Sequence, residues 1–452
     1  MKKFYFLLSI LSLPVFSFGQ VAQVWAARYS FTMGTDKANS MGIDDSGNVY
    51  VTGSSVSGGF GTEDYNTVKY NTNGVFQWAV RYNGSASGMD IARSIAVDSI
   101  GNSYVTGSSA GLSGYTDCLT IKYDTNGDTV WTARYNGSGN KNDIAYSIAI
   151  DAAGNVYVTG STEGTVGTHG IFEDYVTIKY NSSGGQMWEN VYNGPGGDFD
   201  AAYSIAVDNS GNVIVTGESG GGSSSSSDSY QDYATIKYGP TGIPGWVNRY
   251  NGPLTTSDEK ANRVVVDALG NVYVTGESEG LTSSDDYLTL KYTSGGGLLW
   301  TARHNGLGDG NDEAYGLAVD ESGNCYVTGE VYNGAISGKD IETIQYNSAG
   351  APMWSMIYNG SASGNDEGKW VEVDALGNVY VTGSTDGVGT SDDYVTIKYN
   401  TTGSLIWSTI YSNSGAPGSE DVPSCLKIDN LGDVYVTGMS ALDFATVKYS
   451  ES

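Results

Sequence analysis

Carboxylates recur at two fixed positions of an internal repeat, and they are the side chains of this chain most able to do chemistry. The first set stands before a short apolar run: Asp36, Asp90, Asp143, Asp200, Glu259, Asp312, Asp366 and Asp421. The second set stands before a run similar to Tyr-x-Thr-Ile-Lys-Tyr: Asp64, Asp117, Asp174, Asp232, Asp286, Asp340, Asp393 and Asp443. Ca²⁺ prefers carboxylate and carbonyl oxygens as ligands, so calcium binding at these aspartates is one hypothesis.

The alternative for both sets is structural. In that interpretation each Asp accepts hydrogen bonds from backbone N–H groups where a strand begins, with Lys69, Lys122 or Lys179 nearby. The sequence contains no EF-hand loop and no glycine-aspartate nonapeptide repeat. A side chain present in every unit is more often structural than catalytic. No cofactor is therefore predicted beyond the calcium hypothesis.

Other catalytic chemistry is sparse. The two histidines, His169 and His304, have no Asp or Ser partner that their spacing would single out, which disfavours a nucleophilic triad. No zinc-type His/Cys cluster, phosphate-binding loop or dinucleotide fingerprint is present. A glycosidase pair of carboxylates would break the repeat at two unique places, whereas the acids noted above recur.

The elements that must position these side chains follow from the repeat. Val-Thr-Gly triplets begin at residues 51, 105, 158, 215, 274, 327, 381 and 436. A period of about 55 residues is typical of propeller blades rather than helical solenoids. One unit contains the β-rich runs 94–97, 103–106, 119–123 and 131–135, which are separated by Asp/Asn/Gly turns or a looser segment. The pattern predicts an all-β, eight-bladed propeller with four antiparallel strands in each blade.

Strand order places both carboxylate sets at one end of this propeller. If the strands of a blade are A to D from the axis outward, the D-to-A and B-to-C connections share an end. That end also carries the longer loops and the additional acids Glu63, Glu173, Asp285 and Asp392. An end so rich in carboxylates concentrates negative potential, which favours a cation or a basic partner.

The repeat resembles a known family. Its core reads Ser147-Ile148-Ala149-Ile150-Asp151, then 154–160 as Gly-Asn-Val-Tyr-Val-Thr-Gly, and it is similar to the secreted bacterial β-propeller repeat. The resemblance covers essentially the whole chain after residue 19. It implies an exported propeller and little about activity. The name often attached to that family speaks of seven blades, whereas eight units are counted in this sequence.

A second resemblance concerns the segment 70–78, Tyr-Asn-Thr-Asn-Gly-Val-Phe-Gln-Trp. It is similar to the docking motif of eight-bladed quinoprotein dehydrogenases, and it implies that a strand D tryptophan packs on the next blade near a turn glycine. Eight tryptophans occupy this position: Trp25, Trp78, Trp131, Trp188, Trp246, Trp300, Trp354 and Trp407. The ninth, Trp370, replaces a strand serine and is predicted to lie in the core. The vicinal cysteine pair of many quinoproteins is absent, so no quinone is expected.

The first 19 residues read as a secretory signal peptide, which leaves 20–452 as a single propeller domain. Lys2 and Lys3 precede an apolar stretch, and Ser17 and Gly19 suit a cleavage site before Gln20. Loss of those two lysines changes the formal net charge from −28 to −30. So negative a chain is not expected to bind nucleic acid or anionic membrane surfaces, and no membrane insertion is predicted. A secreted, cell-surface or periplasmic location is predicted.

The three cysteines fall at different positions in different units, so buried free thiols are expected at Cys118, Cys325 and Cys425. The chain also begins with a spare strand D, 25–29, and ends with a strand C, 443–449, that lacks a D. The first is therefore predicted to complete the eighth blade, in a monomer.

Two classes of function stay open. The first is a non-enzymatic exported scaffold that presents variable acidic loops for protein or glycan recognition, with or without Ca²⁺. Loop aromatics that suit stacking on sugars are Phe60, Tyr115, Tyr230 and Tyr332, and residues 220–227 form a low-complexity loop. The second is a hydrolase or lyase that acts on an extracellular polysaccharide. The near-identity of the units favours the scaffold.

Overall fold

The computed structural model describes residues 21–31, 34–56, 61–86, 88–164, 172–221, 230–254, 257–281, 283–334, 338–362, 364–387, 391–413 and 420–451. Over these ranges the chain forms eight four-stranded antiparallel sheets. Each innermost strand contacts the innermost strands of both neighbouring sheets, and the eighth contacts the first. The predicted all-β, eight-bladed propeller is confirmed. The predicted signal peptide, Phe60, His169 and most of the 220–227 loop lie outside the described residues.

The strands of blades 1 to 8 are named A to D from the axis outward. Strands A are Asp36–Ile43, Asp90–Val97, Asp143–Ile150, Asp200–Val207, Glu259–Val266, Glu313–Val319, Asp366–Val373 and Asp421–Ile428. Strands B are Val49–Val56, Ser103–Ala110, Val156–Glu163, Val213–Gly220, Val272–Glu279, Cys325–Tyr332, Val379–Asp386 and Val434–Ser440. Strands C are Glu63–Tyr70, Thr116–Tyr123, Glu173–Tyr180, Gln231–Tyr238, Asp285–Tyr292, Lys339–Tyr346, Asp392–Tyr399 and Asp443–Glu451. Strands D are Phe76–Tyr82, Thr129–Tyr135, Gln186–Tyr192, Pro244–Tyr250, Leu298–His304, Pro352–Tyr358, Leu405–Tyr411 and Val21–Tyr29.

Strand A is longer than the apolar run that marks it in the sequence. In blade 2 it begins at Asp90, and its pairing with strand B shifts register between Ala92 and Ser94. The same shift recurs in every described blade. Such a bulge adds one unpaired residue and breaks the two-residue alternation. A strand prediction that relies on alternating apolar and polar residues therefore misses the first half of strand A.

The signature Asp-x-x-Gly-Asn-x-Tyr is a complete turn between strands A and B. In blade 3, Asp151 Oδ1 accepts hydrogen bonds from the N–H groups of Ala153 and Asn155 at 2.9 Å. Its Oδ2 accepts from Asn155 Nδ2 at 2.7 Å and from the Tyr157 hydroxyl at 2.9 Å. Gly154 has a φ of 76°, a left-handed conformation that suits glycine. One carboxylate thus satisfies the whole turn, which accounts for its repetition.

Apolar side chains of adjacent blades form the core between them. Between blades 2 and 3, Tyr104 of blade 2 packs with Val156, Val176 and Ile178 of blade 3, and all four are buried. Equivalent clusters fill the other blade junctions. Because each blade is covered on both faces, strands B and C are apolar on both sides. Cys118, Cys325 and Cys425 are free thiols buried in three of these clusters, as predicted.

Each docking tryptophan joins its blade to the next. Trp78 Nε1 of blade 1 donates a hydrogen bond to the Thr125 carbonyl of blade 2 at 3.0 Å. A Cβ on Gly127 would lie 2.9 Å from the Trp78 ring, so the turn must be glycine there. The same bond links Trp25, Trp131, Trp188, Trp246, Trp300 and Trp354 to the carbonyls of Thr72, Ser182, Pro240, Ser294, Ser348 and Thr401. The docking motif is confirmed.

The N-terminal strand completes blade 8. Val21–Tyr29 pairs antiparallel with Asp443–Glu451, from Val21 opposite Glu451 to Tyr29 opposite Phe444. Blade 8 has no C-to-D turn for Trp407 of blade 7, and Trp407 Nε1 donates instead to Glu451 Oε1 at 2.6 Å. The predicted ring closure is therefore confirmed, with the end of strand C replacing the missing turn.

Candidate functional site

The strand A carboxylates cap the connections that enter each blade. Asp90 is buried, and its two oxygens accept hydrogen bonds from the N–H groups of Gly84 at 2.7 Å and Ala110 at 3.1 Å. Backbone N–H groups donate comparable bonds to Asp36, Asp143, Asp200, Asp312, Asp366 and Asp421, and the Ser257 hydroxyl donates to Glu259. Burial raises the pKa of Asp143, Asp200 and Asp312 to about 6 and that of Glu259 to about 7. In blade 2 the strand A carboxylate thus joins the connection that precedes strand A to the end of strand B.

The strand C carboxylates face arginines of strand D. Asp117 Oδ2 lies 2.8 Å from Arg134 Nη1, and Asp232 Oδ2 lies 2.6 Å from Arg249 Nη2. The same pair forms between Asp64 and Arg81, Asp286 and Arg303, and Asp443 and Arg28. Blades 3, 6 and 7 hold Val191, Ile357 and Ile410 at the arginine position, opposite Asp174, Asp340 and Asp393.

The lysines suggested by the sequence are not the partners of these aspartates. Lys69 lies at the far end of strand C, where its Nζ donates to the Thr125 carbonyl at 3.0 Å and stands over the Tyr50 ring. Lys122 and Lys179 likewise stand over tyrosine rings of their own blades. Five residues of extended chain separate Asp64 from Lys69, a distance of about 16 Å. Among the described residues, no three carboxylate, His or Cys side chains converge as a metal site would require.

The repeat breaks on the inner face of the axial channel. The residue four positions after the strand A carboxylate is serine in four consecutive blades and differs in the other four: Ser40, Ser94, Ser147, Ser204, Arg263, Gly316, Trp370 and Cys425. Two positions further, Glu372 and Lys427 replace small or apolar residues. These residues, apart from Gly316 and Cys425, line a cavity of about 450 Å³. Trp370 packs against two of the core clusters, as predicted, and its half-buried ring also borders the channel, where the strand A bulge precedes it.

Two cations meet at the Trp370 ring. The Arg263 guanidinium carbon lies 3.6 Å from the ring centroid and Lys427 Nζ lies 5.0 Å from it. Trp370 Nε1 donates to Glu372 Oε1 at 3.0 Å, and Lys427 Nζ pairs with that same oxygen. At the centre of the propeller Glu372 thus pairs with Lys427, whereas the Arg263 guanidinium lies over the Trp370 ring.

At the carboxylate-rich end, strands A and B of blades 4 to 6 carry a cluster of four glutamates and one lysine. We call it the acidic mouth and define it by Glu218, Glu277 and Glu330 of strand B, with Lys260 and Glu313 of strand A opposite them. Burial, followed by the neighbouring Glu313 carboxylate, raises the pKa of Glu277 to about 8. The pKa of Glu313 is lowered, because hydrogen bonds and lysines outweigh its burial.

Tyrosines enclose the acidic mouth. The Tyr203 hydroxyl donates to Glu218, and the Tyr315 hydroxyl donates to Glu313 Oε2 at 2.6 Å. The rings of Tyr146 and Tyr203 meet edge to face with centroids 5.3 Å apart. The mouth therefore combines half-buried aromatic rings with hydrogen-bonding carboxylates. Sequence reasoning missed it, because the residue at the glutamate position is serine in blades 1, 2, 3 and 7 and methionine in blade 8, so the position is not a recurring acid.

The loop aromatics of the sequence prediction that fall within the described residues are partly covered. Tyr115, Tyr230 and Tyr332 are half-buried, and Lys141 Nζ stands 4.3 Å from the centroid of the Tyr115 ring. His304 does have a carboxylate partner, on the next blade: its Nε2 lies 2.9 Å from Glu342 Oε2. That carboxylate raises the pKa of His304 against the opposing effect of burial. The pair locks two blades together rather than forming a triad.

Comparison with known proteins agrees with the repeat and the fold. Residues 24–61, 77–112 and 130–167 match the family model of the SBBP-type β-propeller repeat. The resemblance seen in the sequence is confirmed. An uncharacterised WD repeat-containing protein of Acanthamoeba polyphaga mimivirus, L264, is 24% identical over 84% of this chain. The chain spans 31% of that relative's length.

Solved structures share the architecture at low identity. Sqt1 from Chaetomium thermophilum superposes with a TM-score of 0.57 and 10% identity over 96% of this chain and 100% of that one. A catalytically inactive virginiamycin B lyase from Staphylococcus aureus, crystallised with quinupristin, gives a TM-score of 0.45 and 9% identity over 95% and 99% of the two chains. The likeness to Sqt1 concerns the fold alone. No helix in the described ranges has the length and apolarity to cross a membrane.

Proposed function

We propose that this protein is an exported, non-enzymatic recognition scaffold that binds a protein or glycan ligand at its acidic mouth. The observation that supports the proposal is the position of the sequence variation. Residues that hold the blades together repeat around the ring, whereas Glu218, Glu277 and Glu330 occur together in blades 4 to 6. Variation clustered on an open surface of a repeated scaffold favours a binding face there.

The chemistry of the acidic mouth suits a polar or cationic ligand. Half-buried tyrosines next to carboxylates supply apolar area together with hydrogen-bond acceptors, the combination used for oriented polar ligands. The formal net charge of −28 adds long-range attraction for basic groups. A glycan would use the tyrosine rings and carboxylates, whereas a basic protein segment would use the charge.

The proposal is tested with a glycan array and a panel of Lys/Arg-rich peptides, each probed with Ca²⁺ and with a chelator. We expect saturable binding that Glu218→Gln and Glu277→Gln weaken. The matched control is Glu321→Gln, which removes an exposed carboxylate from the opposite end. No binding on either array, or equal effects of the mouth and control variants, would contradict the proposal.

A role for Ca²⁺ belongs to the same proposal and is tested separately. A ligand that binds only the native state raises the melting temperature, so millimolar Ca²⁺ should raise it if the acidic end holds the ion. Asp64→Asn and Asp90→Asn should reduce that shift. An identical melting temperature with Ca²⁺ and with a chelator would leave Arg81 pairing and backbone capping as the roles of these two aspartates.

One observation supports a second candidate, an extracellular polysaccharide hydrolase or lyase. Glu277 and Glu313 are neighbouring carboxyl groups whose pKa values shift in opposite directions, the arrangement of a general acid beside a base. Incubation with a panel of polysaccharides, followed by reducing-end and unsaturated-product assays, tests it. Turnover that is lost in Glu277→Gln would favour this candidate over the scaffold.

A further inference from the structure

The centre of the channel contains an arginine without a carboxylate partner. Lys427 pairs with Glu372, while among the described residues no carboxylate lies within ion-pair distance of the Arg263 guanidinium. Its observed neighbour is the face of Trp370, 3.6 Å away. A ring face supports a cation but accepts none of its five N–H donors in the plane. Because Arg263 also lines the cavity, its N–H donors are available to a ligand bound there.

The opposite wall of the cavity also offers donors. Ser40, Ser94, Ser147 and Ser204 occupy the same ring in blades 1 to 4, facing blades 5 to 8 across the axis. Ser204 Oγ already accepts from the Val264 N–H at 3.1 Å, and Ser40 Oγ from the Ile95 N–H at 3.4 Å. A hydroxyl whose oxygen is occupied as an acceptor keeps its proton for donation. These serines are thus able to donate into the cavity.

Gly316 of blade 6 keeps the arginine and the tryptophan in contact. It lies between the blades that carry Arg263 and Trp370, and a Cβ there would approach the Val371 nitrogen to 3.0 Å and the Trp370 carbonyl carbon to 3.2 Å. With no side chain at that position, Arg263 reaches across a blade to Trp370. The arginine is consequently held in place before any ligand arrives, which lowers the entropic cost of binding.

We propose that the axial cavity is a binding site for a small oxyanion, a carboxylate or phosphate group held by Arg263 and the serine hydroxyls. A guanidinium matches both groups with two parallel N–H donors, and Lys427 adds a second positive charge. The cavity of about 450 Å³ admits a small organic anion. This site is separate from the acidic mouth and does not depend on the function proposed for it.

Isothermal titration calorimetry of the full propeller tests the site with inorganic phosphate and with D-glucuronate, at constant ionic strength set with chloride. We expect saturable binding of one or both probes, and the stronger probe identifies the preferred oxyanion. Arg263→Gln should weaken binding by about tenfold or more, the usual effect of losing a charge-assisted bidentate contact. Arg93→Gln is the matched control, since Arg93 also lies on strand A over a ring, that of Tyr146, and it should leave affinity unchanged.

A second variant keeps Arg263 in place. Glu372→Gln retains an acceptor for Trp370 Nε1 but frees Lys427 from its carboxylate, so it should strengthen binding several-fold, about threefold or more. Equal loss of affinity in the Arg263 and Arg93 variants would show only a general channel potential and would overturn the proposal. No saturable binding of either probe by the wild-type protein, or weaker binding by Glu372→Gln, would overturn it as well.

Discussion

At the scale of single residues, the strand C carboxylates differ in how their charge is compensated. Five face an arginine of strand D, whereas Asp174 of blade 3 faces the position of Val191. Burial, followed by the nearby Asp200 carboxylate, raises the pKa of Asp174 to about 6. At neutral pH the ionised Asp174 carboxylate therefore lowers the stability of the fold. In the arginine-bearing blades the guanidinium offsets this loss.

Val191→Arg should supply the missing partner. Val191 is half exposed, so the longer side chain has room, and a half-buried charge-assisted pair contributes about 1 kcal/mol. Thermal unfolding at pH 7.5 should show a higher melting temperature for Val191→Arg than for the neutral control Val191→Gln. Equal melting temperatures would show that the guanidinium does not reach Asp174.

At the scale of strands and turns, the docking tryptophans carry the contacts between outer edges of blades. Trp188 packs between Tyr157 of its own blade and Tyr238 of the next, with centroids 6.4 and 6.0 Å away. Its N–H also satisfies the Pro240 carbonyl. The seam is therefore both apolar and hydrogen-bonded.

Trp188→Ala should lower the free energy of unfolding by about 3 kcal/mol, the lower end of the range for buried aromatic residues, because the indole stays partly exposed. Gly242→Ala should destabilise the same seam, since its Cβ would lie 2.8 Å from the Trp188 ring at a φ of 85°. Chemical denaturation measures both. An unchanged unfolding midpoint for Trp188→Ala would mean that the indole contributes nothing to the stability of the contact between blades.

The repeat determines which of these elements could be predicted. Turns such as Asp151–Asn155 and the tryptophan seams recur in every blade or nearly so, and their residue types express local geometry. The arginine partners of Asp64 and its equivalents were missed because they come from strand D, and register rather than sequence distance decides which side chains meet. The Arg263–Trp370 contact was missed because it joins blades 5 and 7, and no local pattern indicates a neighbour across the channel.

At the scale of the whole molecule, acid should stabilise the fold. Asp143, Asp174, Asp200 and Asp312 have folded pKa values of about 6, above the ordinary 3.8. The folded state therefore binds more protons than the unfolded state between about pH 4 and 6, and this contribution is lost as pH rises through that window. The raised pKa of His304 acts in the same direction above its ordinary 6.5.

The turn carboxylates set the lower limit of this effect. Hydrogen bonds from Asn155 and its neighbours lower the pKa of Asp151 despite its burial, and Asp208 behaves similarly. Their contribution is lost as pH falls below 3.8. Calorimetry at constant ionic strength should thus place the highest melting temperature near pH 4–5, with a decline toward pH 8. A melting temperature that rises from pH 5 to 8 would contradict the assignment.

Removal of residues 20–34 should open the ring. Strand D of blade 8 and Trp25 would be lost, which exposes the edge of Asp443–Glu451. An unpaired strand edge promotes association with other chains, so we expect a lower melting temperature and oligomers in light scattering, although seven blades are intact. A truncated protein that stays monomeric and melts like the full chain would contradict the clasp.

The pairing of Val21 with Glu451 also makes this chain a candidate for circular permutation. In blade 1 the residues equivalent to Tyr449 and Gln23 are Tyr70 and Phe76, which are joined by five residues, 71–75. A linker of that length and type between 449 and 23, in place of the last strand residues, would give blade 8 the turn that the others possess. It would restore a carbonyl and a glycine beneath Trp407. New termini could then be opened at any connection between blades. The fold would not depend on which connection carries the chain ends.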